Sequence, residues 1–141
     1  MSISNGSAHW NGGLKDGRGA MKPAHAAEAP FSLATRFDGQ PGSNPEELIG
    51  AALAGCFSMA LTGALEKAGQ KPAQVRTSAA VHLDRLATGL TISTIELSTQ
   101  ATVPGMDPTE FQRIAAETKA TCPVSKALAG VTIQLVAALE G

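Results

Sequence analysis

Any fold open to this chain must accommodate Ser43 to Leu65, SNPEELIGAALAGCFSMALTGAL, which reads as one long helix apolar over most of its circumference. Asn44 is placed to cap it, Pro45 occupies the first helical position, and Glu47 is placed to close a capping box. Glu46 and Glu47 also favour the positive end of the helix dipole. Beyond that turn, Leu48, Ile49, Leu53, Phe57, Met59, Leu61 and Leu65 are separated by alanines and glycines, with no charge until Glu66. A surface helix would show a polar face. This one is expected to be covered nearly all round and to form the core.

Ser58 and Thr62 interrupt the apolar run, a capping box opens it, and no second apolar segment of that length follows, so it is not read as a membrane span. The N-terminal MSISNGSAHWNGGLKDGRG lacks the apolar core of a secretory signal, which points to a cytoplasmic protein. With 141 residues the chain is expected to be a single domain, 1–141. A net charge of −1 with scattered basic residues argues against nucleic acid or a membrane surface as partner.

In chain order, Ala8–Trp10 and Arg18–Lys22 are short strand candidates. In Phe31–Asp38, Phe31, Leu33 and Phe37 alternate along one face, predicting a strand with Arg36 on the opposite face. Val75–Leu83 and Leu90–Val103 read as an antiparallel pair, and a phase slip between Ile92 and Ile95 predicts a bulge. Asp107-Pro-Thr-Glu110 opens a helix over Pro108–Ala120 as a second capping box, Pro123 starts a short helix through Leu128, and Val131–Leu139 closes the chain as a strand. The fold class is α+β with antiparallel sheet.

The chemistry centres on two cysteines. Cys56 sits near the middle of the apolar helix, about three turns from its positive end, so the dipole does little for its thiolate and burial would raise its pKa. As a nucleophile it needs a cation from elsewhere, and Arg36 is the leading candidate; the competing reading is a buried, inert thiol. Cys122, beside Pro123 at a helix start, is expected to be partly exposed and suits a resolving thiol. The histidines His9, His25 and His82 have no ligand spacing with either cysteine, so no metal is expected.

The segments NPEELIGAALAGCFSMAL, TRF upstream of it and CPVSKAL near the C-terminus, in this order, resemble the OsmC family and its relative, the organic hydroperoxide resistance proteins. The AHWNGGLKDGRG segment and the TRF placement look more like the OsmC branch. The resemblance implies antiparallel sheets wrapped around long buried central helices in an intertwined homodimer, with active sites at the interface. It implies a thiol peroxidase without metal or other cofactor, acting on organic hydroperoxides and, in the OsmC branch, on hydrogen peroxide. In that reading Cys56 is the peroxidatic nucleophile and Cys122 the resolving thiol, forming a Cys56–Cys122 disulfide. Arg36 and Glu46 complete the site, and an external dithiol, lipoyl-type in the hydroperoxide resistance branch, recycles the disulfide. Ten residues of helix separate Glu46 from Cys56, ~15 Å along the axis, so a site using both is expected to take the glutamate, with the arginine as a further candidate, from the partner chain, the two central helices running roughly antiparallel. Leu53, Phe57 and Met59 are expected to line the apolar approach to Cys56. Two other readings use the same residues: a non-enzymatic redox sensor or binding module built on the cysteine pair, and a hydrolase with Cys56 activated by His82.

Overall fold

The periodicities of the sequence resolve, in the computed structural model of residues Met1–Gly141, into ten elements. They are β1 (Gly6–Asn11), β2 (Arg18–Pro23), β3 (Ala29–Phe31), α1 (Leu33–Phe37), α2 (Pro45–Lys67), β4 (Gln74–Leu86), β5 (Gly89–Thr102), α3 (Pro108–Thr121), α4 (Pro123–Ala127) and β6 (Thr132–Glu140). They fall into two compact units, Met1–Leu48 and Ile49–Gly141.

In the first unit β1, β2 and β3 form an antiparallel sheet in that order. Trp10 and Phe31 lie against each other across it, ring centroids 5.4 Å apart. Gly19 runs beneath them, where a Cβ would come within 2.8 Å of the Trp10 ring and 2.9 Å of the Phe31 ring, so only glycine fits. The strand expected over Phe31–Asp38 is corrected: it ends at Phe31, and Leu33–Phe37 is a single helical turn. Ser32 decides this. Its hydroxyl accepts from the Thr35 N–H while Thr35 Oγ1 accepts from the Ser32 N–H, a reciprocal cap that outweighs three alternating apolar residues.

The second unit is a three-stranded sheet, β4-β5-β6, covered on one face by helices. β4 and β5 pair antiparallel through the two-residue tip Ala87-Thr88, and the predicted bulge lies where His82 faces Thr94 and Leu83 faces Ile92, leaving Ser93 as the extra residue. An all-antiparallel sheet is not what forms. β6 runs parallel to β5, because α3 and α4 carry the chain back before β6 begins. Gln112 and Lys119 of α3 donate to the Ala137 and Ile133 carbonyls of β6, satisfying acceptors along its free edge.

Leu53, Phe57, Leu61 and Leu65, one stripe of α2, are fully buried with Ile95, Leu97, Ala101 and Val103 of the sheet side and Phe111, Ile114 and Ala115 of α3. Ser58 Oγ donates to Thr77 Oγ1 at 2.7 Å, and Thr77 contacts Thr99 at 2.9 Å, so Ser58 meets hydroxyls of the sheet, whereas Thr62 Oγ1 donates to the Ser58 carbonyl of its own helix. At Gly50 a Cβ would approach Val81 Cγ2 to 3.1 Å, a close passage of helix over strand. The expectation of a helix covered on all sides holds for this stripe alone. Ala51, Ala52, Gly55, Met59 and Gly63 form an exposed apolar stripe on α2, Met59 at 78%. By length and composition α2 could cross a membrane; here Leu53, Phe57, Leu61 and Leu65 are buried in the core. Phe57→Ala is expected to cost about 3–5 kcal/mol in urea unfolding at unchanged m-value, against within about 0.5 kcal/mol for Glu66→Ala on the exposed last turn. A Phe57→Ala loss below 1 kcal/mol would remove α2 from the core.

Candidate active site

Cys56 and Cys122 are free thiols whose sulfurs lie 2.8 Å apart, although 66 positions separate them in sequence. Cys56 stands on α2 between buried Leu53 and Phe57, and Cys122 sits between α3 and α4, where Pro123 stops one helix and begins the next. Exposure is the reverse of the expectation that Cys122 would be the more open thiol. Cys122 is 1% exposed and Cys56 is half-buried, because Cys122 is part of the hydrophobic core cluster with Phe111, Ile114 and Ala115, whereas Cys56 only packs against that cluster.

The environments pull the two thiols apart. Burial pushes the Cys56 thiol up, contact with Cys122 adds to that, and the Val124 N–H opposes both. Burial also acts upward on Cys122, yet the Cys56 contact, the N–H and hydroxyl of Ser125 and the Val124 N–H together hold it below the ordinary thiol value. Either sulfur can donate across the contact; the opposite shifts favour Cys56 keeping its proton. None of the groups acting on Cys56 is a cation. The two sulfurs are close enough to react with each other, but no positive charge among the groups acting on Cys56 favours its thiolate.

The cation is found in the first unit. Arg36 on α1 and Glu46 in the first turn of α2 form a two-pronged ion pair: Arg36 Nε donates to Glu46 Oε1 and Oε2 at 3.0 and 3.2 Å, and Nη2 also donates to Oε1. Glu46 is buried and Arg36 stacks over the Phe37 ring at 5.5 Å. Asn44 Oδ1 accepts from the Glu47 N–H, so the cap expected there forms. The box does not close, because the Glu47 carboxylate takes the Ser43 hydroxyl instead. At the second predicted box, Asp107 caps Glu110 N–H while the Glu110 carboxylate pairs with Arg113. A groove of about 230 Å³ beside Arg36 is lined by Trp10, Leu14, Phe31, Ser32 and Leu33. Leu53 and Phe57, expected to line the approach to Cys56, are fully buried in the core and line no open surface.

Each predicted site residue thus has a partner of complementary chemistry, cysteine with cysteine and arginine with glutamate. His82 takes no part with Cys56; its Nε2 pairs with Glu96 on the exposed sheet face. Two features escaped the sequence reading: the hydroxyls facing Ser58 and the buried Ser125. Both stand in plain view as polar residues at core-facing positions, Ser125 three residues after Cys122.

The OsmC-like protein family model matches residues 37–136. The chain belongs to the OsmC-like family. Over 125 residues, 87% of each chain, it is 45% identical to Peroxiredoxin OsmC of Escherichia coli (strain K12). Over 122 residues it is 32% identical to the organic hydroperoxide resistance protein of Xanthomonas axonopodis pv. citri (strain 306), covering 84% of this chain and 82% of that one. The fold of the OsmC-like protein from Mycoplasma pneumoniae superposes with a TM-score of 0.77 over 99% of both chains at 15% identity, a likeness of architecture. The higher identity lies with the OsmC branch, as the N-terminal segment indicated.

Proposed function

We propose that this OsmC-like chain is a thiol peroxidase reducing organic hydroperoxides, and hydrogen peroxide less well, through Cys56 and Cys122. The contact between the two sulfurs carries the reading: a pair 2.8 Å apart needs almost no rearrangement to close once one sulfur is oxidised. The Cys56 thiolate, the more accessible sulfur, attacks one peroxide oxygen; the O–O bond breaks, its electron pair leaves with the alkoxide, and protonation gives the alcohol. Cys56 is then a sulfenic acid. Cys122 displaces its hydroxyl as water to form the disulfide, and an external dithiol, of lipoyl type by family resemblance, returns both thiols. No metal or other cofactor enters, and a reducing compartment such as the cytoplasm keeps the pair ready.

A cation is still required at Cys56, and Arg36 oriented by Glu46 supplies it from the other chain of a homodimer. Two observations support this arrangement. Ten helical residues, ~15 Å, separate Glu46 from Cys56. The exposed small-residue stripe of α2 beside Cys56 offers a face on which a second α2 packs closely. Residues 1–141 then work as one OsmC-like domain within the dimer. The groove of Trp10, Leu14, Phe31 and Leu33 beside Arg36 receives the alkyl part of the substrate, each buried methylene contributing ~0.8 kcal/mol.

Steady-state consumption of cumene hydroperoxide and hydrogen peroxide, with dihydrolipoamide as reductant, tests the reading. Sustained turnover with kcat/KM at least about tenfold higher for cumene hydroperoxide is expected. Stoichiometric oxidation to a disulfide without further turnover would instead make the chain a redox sensor.

A further inference from the structure

Ser125 has no part in the cycle so far described, yet it is buried, its Oγ has no hydrogen-bond partner, and it stands three residues from Cys122 on α4. A buried hydroxyl without a partner is rare in a folded core and calls for a reason. We propose that the Ser125 hydroxyl is the hydrogen-bond donor for the Cys122 thiolate released when the disulfide is reduced, so that the reductant attacks Cys56 and Cys122 is the leaving group. The inference rests on the peroxidase reading only in giving the disulfide a place in a cycle.

The geometry favours this direction of attack. Cys122 is 1% exposed within the hydrophobic core, while Cys56 is half-buried and reachable. One thiolate of the dithiol attacks Cys56 Sγ, the Cys56–Cys122 bond breaks, and its electron pair stays on Cys122. The second thiol then attacks the reductant's own sulfur, leaving a cyclic disulfide and Cys56 thiolate; the two protons of the dithiol end on the two cysteines. Thiol–disulfide exchange is faster when the leaving sulfur is the better-stabilised anion. With Cys122 at the N-cap of α4, Ser125 stands at the third helical position with its hydroxyl unbonded, and the nearness of its hydroxyl and N–H favours the Cys122 thiolate. The hydroxyl is thus satisfied when Cys122 is anionic, the state in which it is useful.

The test separates the two half-reactions. Wild type, Ser125→Ala and Ser125→Thr are oxidised with diamide, which makes the disulfide without peroxide, and their reduction by dihydrolipoamide is followed by stopped flow. Ser125→Ala is expected to be reduced about five- to tenfold more slowly, Ser125→Thr to recover most of that, and oxidation of the reduced protein by cumene hydroperoxide to change less than twofold. A general structural role would slow both halves together and overturn the assignment, as would wild-type reduction by Ser125→Ala. Peptide mapping of the wild-type disulfide opened by 2-mercaptoethanol provides a check that needs no variant. The adduct is expected on Cys56, and an adduct on Cys122 would reverse the direction of attack. Because neither reduction arm uses peroxide, a missing peroxidase activity would leave both interpretable.

Discussion

Cys56→Ser is expected to abolish hydroperoxide turnover, by on the order of 10³-fold or more, because a serine hydroxyl is not ionised near neutral pH and cannot become a sulfenic acid. Cys122→Ser should behave differently. Contact with Cys122 is one of the influences raising the Cys56 thiol, so its removal should leave the first attack on peroxide no slower than in wild type. One equivalent of peroxide is then consumed, Cys56 sulfenic acid accumulates and reacts with dimedone, and excess peroxide drives it to sulfinic acid. The measurement is burst-phase peroxide consumption with mass spectrometry of the Cys56 peptide. Sulfenic acid appearing on Cys122 in the Cys56→Ser protein, with turnover retained, would exchange the two roles.

The second large effect is at Arg36. Arg36→Met is expected to lower kcat/KM about 10²-fold, the size of a lost hydrogen bond to a charge, and Arg36→Lys about tenfold, since the ammonium keeps the charge but not the fork. The same substitution leaves the Glu46 carboxylate buried and unpaired. Arg36 is one-third exposed, so the loss of stability is moderated by solvent to about 1–3 kcal/mol. Combining Arg36→Met with Glu46→Leu should restore most of that stability and none of the activity, which separates the catalytic from the structural contribution. Full activity in Arg36→Met would remove the arginine from the mechanism.

The central helix, the β4–β5 hairpin with its bulge and the two later helices were legible in sequence because each carries a period or a cap that local chemistry enforces. Arg36 shows where that reading stops. Three alternating apolar residues promised a strand, and the Ser32–Thr35 reciprocal cap made a helical turn of the same segment. The direction of β6 was likewise hidden, since strand periodicity is the same for parallel and antiparallel neighbours and only the path of α3 and α4 decides between them. The cysteine pair was nameable through family resemblance, but which sulfur is covered depends on which joins the core cluster, a tertiary fact without a local signature. The burial of Leu53 and Phe57 was anticipated by their spacing, and the same burial removes them from any open groove.

The sequence distance between the two sulfurs has a consequence for the chain as a polymer. A bond between positions 66 apart ties off nearly half of the molecule as a closed loop, and in the chain-entropy view this takes ~4 kcal/mol of freedom from the unfolded ensemble. In the proposed cycle the polypeptide would alternate between two topologies, a ring with tails and an open string. The disulfide form is then expected to resist global unfolding more strongly than the dithiol, so that the molecule would be hardest to unravel while it waits for its reductant.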